Sequence, residues 1–275
     1  MGRRFVAALL SALTLLVLPA AAWAGPFSDW AVVVVAGDFH AHGPEETEAF
    51  DNARHDVAAA LVRRGFTAAN IRQFSARPEH FPAPRPGSDN FDGIVDSLRS
   101  VAQRVHGGCL IYFSSHGAPE GILLGDIIMN PGMLANAISG VCGDRPTVVV
   151  LSACFSGVFV PVMQASNRMI LTAARPDRTS FGCGVDNRYP FFDDCFLQVL
   201  PQSTDFADLA PRVQACVAQR ETTEGMSPPS EPQVWIDPGF RPMLPLYRFS
   251  AAPPAAAARP GQRPAGHHPA ARPAH

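Results

Sequence analysis

Between positions 30 and 236 the chain alternates short, uncharged apolar runs with longer stretches in which apolar residues return every three or four positions. The run at 30–36 is continuous and rich in valine, the pattern of a strand buried on both faces. Residues 45–64 carry Phe50, Val57 and Leu61 at helical spacing, and Gly65 ends that helix. A second strand is expected at 71–74, followed by a proline-rich loop over 78–86. Ser88-Asp89-Asn90 then caps a helix running to about residue 105. Further strands are expected at 109–113, 147–151, 168–173 and 233–236, a small hairpin over 120–126, and helices over 131–139, 191–200 and 205–220. Strand and helix in alternation predict an α/β fold, a doubly wound and mostly parallel sheet flanked by helices.

Two of these strands stop at small polar segments that carry chemistry. The run 109–113 leads into Ser114-Ser115-His116-Gly117, and the run 147–151 into Ser152-Ala153-Cys154-Phe155-Ser156-Gly157. Ligands and reacting groups of open α/β sheets gather at the carboxyl ends of the strands, so His116 and Cys154 are expected at one edge, facing one site. A thiol needs a neighbour that removes or stabilises its proton, and an imidazole does this by forming a thiolate–imidazolium pair. Gly117 and Gly157 leave room for a substrate to approach the backbone, and the N–H groups of Gly117 and Cys154 are candidate oxyanion donors. Either motif alone has a plainer explanation, an inert core cysteine or a histidine with its hydrogen bonds satisfied. Their joint position is what points to catalysis.

Composition then limits the choices. A chain of 275 residues, 47% hydrophobic and with a formal net charge of −2, builds one sizeable core, and its charge gives no reason to expect nucleic acid as a partner. Residues 1–24 combine Arg3 and Arg4, an apolar run and Ala22-Trp23-Ala24, the pattern of a signal peptide cleaved near Gly25. An uncleaved N-terminal anchor is the alternative, and the only membrane contact expected. A single catalytic domain is expected over 25–249, with a disordered Ala/Pro-rich tail over 250–275 whose His267, His268 and His275 read as solvated. Export places the six cysteines in an oxidising periplasmic or extracellular compartment. With Cys154 free, Cys109, Cys142, Cys183, Cys195 and Cys216 leave at least one more thiol unpaired within the chain, and Cys183–Cys195 is the first candidate bridge. No spacing resembles a zinc site, so no metal is expected.

The chain resembles the legumain family of cysteine peptidases, its bacterial branch in particular. The resemblance rests on the His-Gly motif at 112–117 with Gly121-Ile122, the Ala-Cys-x-Ser-Gly motif at 153–157, and the stretches 171–183, Phe192-Asp193-Asp194 and 230–235. It implies the caspase-like fold, a three-layer αβα sandwich, with His116 and Cys154 as catalytic dyad, no cofactor, and peptide or protein substrates. Plant and animal members carry an acidic residue two positions before the nucleophile and cleave after Asn; Ser152 stands at that position here. The resemblance further suggests that Ser152, with Arg54, Ser180 and Asp194, lines the pocket for the residue before the cleaved bond, with Asn or Asp as that residue. The plainer alternatives are an exposed helix charge for Arg54, a turn residue for Ser180 and a helix cap for Asp194. A transamidase using the same dyad, a different caspase-like peptidase with a basic or acidic pocket, and a secreted binding module that keeps the fold without catalysis are the rival functions.

Overall fold

The computed structural model describes residues 25–250; the expected signal sequence and the Ala/Pro-rich tail lie outside the described residues, the tail from residue 251. The strands are β1 (Trp30–Ala36), β2 (Ile71–Ser75), β3 (Gly87–Ser88), β4 (Gly108–Ser114), β5 (Gly117–Ala118), β6 (Gly121–Leu124), β7 (Ile127–Met129), β8 (Thr147–Ser152), β9 (Arg168–Thr172) and β10 (Gln233–Ile236). The helices are α1 (Ala49–Arg63), α2 (Phe91–Ala102), α3 (Pro131–Cys142), α4 (Val160–Met163), α5 (Phe191–Val199) and α6 (Phe206–Glu224).

Seven strands form one sheet in the order β10-β9-β8-β4-β1-β2-β3, parallel throughout except for β10, which runs antiparallel to β9. β1, β4 and β8 are buried at every position, which is why their sequences are unbroken apolar runs rather than alternating ones. Their side chains still alternate between two cores. Val32, Val34, Leu110, Tyr112, Val148 and Val150 meet Val57 and Leu61 of α1, Phe192 and Phe196 of α5, and Val213 and Val217 of α6. Ala31, Val33, Val35, Ile111, Phe113, Val149 and Leu151 meet Ile94 and Leu98 of α2, Leu134 and Ile138 of α3, and Met163 of α4. Helix, sheet, helix is the three-layer sandwich.

Local chemistry sets the boundaries. The Asn90 side chain accepts from Gly93 N–H to start α2, Asn130 from Met133 N–H to start α3, and Asp205 from Asp208 N–H to start α6. Helix α1 begins at Ala49 rather than 45, because Glu46 and Glu48 lie in the preceding segment and hold the buried Arg77 guanidinium at 2.8 and 2.6 Å. Helix α6 runs to Glu224 and ends at Gly225, which takes the left-handed conformation at φ 70°. The extra turn brings the buried Glu221 carboxylate to accept from Ser230 Oγ and N–H. The expected hairpin is part of a separate three-stranded antiparallel sheet, β5-β6-β7.

The disulfide expectation is corrected. Cys109 pairs with Cys142, tying β4 to the end of α3, and Cys195 with Cys216, tying α5 to α6. Cys195 sits on the core face of α5 with its Cα 5.7 Å from that of Cys216, so it is not available to Cys183, which is free.

The order of strands reverses its direction of growth between β1 and β4, since β2 adds on one side of β1 and β4 on the other. A crevice at the carboxyl ends of these two strands follows from that reversal.

Candidate active site

His116 and Cys154 both arrive at this crevice, two residues beyond β4 and β8 respectively. Ser114 and Ser152 are register partners at the ends of the two strands, and Ser115 N–H donates to Ser152 O at 3.0 Å. Gly117 then passes so close to the thiol segment that a β-carbon there would lie 2.1 Å from the Cys154 carbonyl oxygen. Here glycine serves close backbone contact between the two motifs.

The imidazole of His116 is one-fifth exposed and edge-on to Phe50, with ring centroids 5.0 Å apart. Its Nε2 lies 3.0 Å from the His40 carbonyl oxygen, an acceptor only, so Nε2–H donates and the neutral ring keeps Nδ1 free to take a proton. Asp38 stands behind it with Oδ2 4.0 Å from Nε2. The other oxygen of Asp38 accepts from Phe39 N–H at 2.6 Å, His40 N–H at 3.1 Å and His40 Nδ1 at 2.8 Å. Asp38 and His40 thus shape the loop after β1 around the histidine, a pairing the sequence reading passed over. The signal was available, because β1 also ends at a small polar segment, Gly37-Asp38-Phe39-His40.

Cys154 is almost buried at 8% exposure. Its Sγ accepts from Ser180 N–H at 3.2 Å and lies 3.6 Å from both the carbonyl and hydroxyl oxygens of Ser180. The chain reverses directly after Cys154: Phe155 takes the left-handed conformation at φ 56°, uncommon for a bulky residue, and its N–H is held by Arg178 O at 2.8 Å. Ser156 Oγ donates to Ala153 O at 2.7 Å and accepts from Ala174 N–H at 3.2 Å. A β-carbon on Gly157 would lie 2.6 Å from the Pro176 nitrogen. Gly157 is therefore small because β9's following loop packs on it, which corrects the expectation that it opens space for substrate. Among the described residues the Cys154 N–H has no hydrogen-bond partner.

The second free thiol has different surroundings. Cys183 Sγ lies 3.3 Å from both ring nitrogens of His42, whose ring centroid is 5.7 Å from that of His116. Burial, with the nearby Cys154 sulfur adding to it, pushes the Cys183 thiol up to about 12, so it stays protonated at neutral pH.

Under the two motif strands lies a carboxylate. Asp193, fully buried in the first turn of α5, accepts from Tyr112 OH at 2.5 Å, Ser114 Oγ at 2.8 Å and Ser152 Oγ at 2.7 Å. Burial outweighs these bonds and raises its carboxyl to about 6. It ties together the ends of β4 and β8 from below.

Of the four residues suggested for the substrate pocket, Ser180 alone contacts the thiol. Ser152 is buried beneath the site on Asp193. Asp194, one residue along, turns to α6 and pairs with Arg220, whose guanidinium also lies over Phe191. Arg54 is buried in α1, donating to Asp51 at 2.8 Å and Gln73 Oε1 at 2.6 Å with Phe81 4.7 Å below it. It faces a cavity of about 740 Å³ on the β2–β3 side that neither His116 nor Cys154 lines. Among the described residues no group of three or more His, Cys, Asp or Glu side chains is placed to hold a metal ion.

The model of the peptidase C13 family matches residues 32–227, a span that contains both motif segments and their supports. No curated protein sequence matches significantly. Among solved structures, the crystal structure of caspase-1 from Spodoptera frugiperda is similar with a TM-score of 0.56 at 13% identity, covering 77% of this chain and 88% of that one. At that identity the likeness is one of fold, the caspase-like αβα sandwich.

Proposed function

Since this chain belongs to the peptidase C13 family and is a cysteine peptidase with peptide or protein substrates, we propose that it is an exported endopeptidase working through Cys154 and His116. The observation that carries this reading is the arrival of thiol and imidazole on adjacent strand ends whose backbones touch at Gly117.

In this reading His116 takes the thiol proton and Sγ, supported by Ser180 N–H, attacks the scissile carbonyl. The oxygen of the tetrahedral intermediate takes up the negative charge and is met by the N–H groups of Cys154 and Gly117. His116 passes the proton to the leaving amine, the C–N bond breaks, and water hydrolyses the thioester to the acid and free thiol. Asp38 and the His40 carbonyl fix the orientation of the ring. Asn or Asp before the cleaved bond follows from the family resemblance, with Ser180 the pocket residue nearest the thiol. Export, with the chain beginning near Gly25, is supported by two disulfides, which persist in oxidising compartments.

The test is cleavage of a peptide library read by mass spectrometry. The native protein should cut within peptides after Asn or Asp. His116→Ala should lose about 10²–10⁴-fold in kcat/KM. Cys154→Ala should cut nothing, with both variants melting near the native temperature. Near-native turnover by either variant would remove the dyad; an acyl product transferred to an added amine would favour the transamidase instead.

A further inference from the structure

A cavity of about 600 Å³ is lined by the Asp38–His40 loop and lacks both His116 and Cys154 from its lining. Its charged lining is of one sign: Asp38, Asp89, Asp92 and Asp126, with His40 the sole basic group and no arginine. Asp89 at its base is 8% exposed, and its Oδ2 is buried without a hydrogen-bond partner. A buried carboxylate oxygen left unpaired is costly unless something completes it. Burial, with Asp126 and Asp38 adding to it, accordingly raises the Asp89 carboxyl to about 6. The rim is mixed: Ile127 is 46% and Met133 40% exposed, with the exposed Asp92 and Asp126 beside them.

A buried, unpaired carboxylate below exposed carboxylates and the apolar side chains of Ile127 and Met133 complements a guest with an aliphatic stem and a cationic head. The position of the cavity identifies where on a substrate that guest sits. Asp38 and His40, which contact the His116 ring, also line the cavity, so it adjoins the histidine side of the dyad. In the mechanism above His116 protonates the leaving amine, so its side of the dyad receives the part of the peptide that follows the cleaved bond. We propose that this cavity is the subsite for a lysine or arginine side chain on the leaving-group side of the substrate. The assignment of side rests on the reading of His116 and Cys154 as the dyad; the preference for a cationic side chain rests on the cavity alone.

Two peptides identical except for Lys or norleucine downstream of the cleaved bond test it, in two readouts on the full chain. The native protein should cleave the Lys peptide about tenfold faster in kcat/KM, and Asp126→Asn and Asp92→Asn, both at exposed positions, should each reduce that ratio severalfold. Asp89→Asn should reduce it most if it folds; the two exposed variants decide the matter if it does not. Separately, the amine-side product peptides should bind Cys154→Ala in calorimetry with the same Lys preference, weakened by adding Asp126→Asn. A ratio near one in both readouts overturns the subsite. Selective binding without any cleavage by the native protein keeps the cationic subsite and overturns the peptidase reading, and cleavage with Lys preference that neither Asp92→Asn nor Asp126→Asn moves overturns the assignment to this cavity.

Discussion

Gly117 is the residue where side-chain size is most tightly limited by function. Its Cα faces the Cys154 carbonyl so closely that a methyl group, 2.1 Å from that oxygen, must push the two motif segments apart. Gly117→Ala should therefore lower kcat/KM by about 10²-fold, the cost of misplacing reacting groups by roughly 1 Å. Steady-state kinetics beside circular dichroism checks it, and unchanged kinetics would mean that the contact is not part of the site. At this scale the sequence was legible where chemistry is local, as in a His-Gly and an Ala-Cys-x-Ser-Gly segment each closing an apolar run. It was not legible where neighbouring residues of one type diverge. Asp193 and Asp194 are indistinguishable as letters, yet helical geometry turns the first under β4 and β8 and the second toward Arg220. Arg54 likewise reads as a helix charge or a pocket residue, and only the folded chain shows its bonds to Asp51 and Gln73.

Among the elements, the buried parallel strands were the most readable, because burial on both faces leaves nothing but apolar residues to place. Helix α1 began later than its periodicity suggested since two glutamates were drawn away to Arg77, a contact set by the tertiary fold. The cysteines were the least readable: spacing along the chain carries no information on which helix faces which. The Cys195–Cys216 bridge closes a loop of sequence separation 21 and the Cys109–Cys142 bridge one of 33. Each should contribute about 3–4 kcal/mol by restricting the unfolded chain. Non-reducing peptide mapping should recover these two pairs. Cys195→Ser with Cys216→Ser should lower stability by that amount in denaturant titration, whereas Cys183→Ser should leave both bridges formed. A Cys183–Cys195 peptide in the map would contradict the packing of α5 on α6.

For the whole molecule, two buried carboxyls set a pH dependence. Asp193 and Asp89 are both raised to about 6 from an ordinary 3.8, chiefly by burial. A carboxyl that holds its proton more tightly folded than unfolded favours the fold at low pH and costs stability as pH rises through the folded value. Between pH 4 and 6 stability should therefore fall, Asp193 accounting for on the order of 3 kcal/mol. Asp56 and Asp208, held below the ordinary value, act with opposite sign and only below about pH 4. Denaturant titrations at several pH values check this: Asp193→Asn should flatten the decline, and an unchanged slope would contradict the burial of an ionisable group there.

The functional account depends on one assignment, that the thiol at the end of β8 and not the one beside His42 reacts with substrate. The direct measurement is mass-spectrometric mapping of the residue modified by a thiol-directed peptidyl ketone at neutral pH. The account predicts modification of Cys154, slowed at least tenfold in His116→Ala, with Cys183 unmodified because its thiol is buried and protonated. Modification at Cys183, or at Cys154 with a rate indifferent to His116, would contradict it.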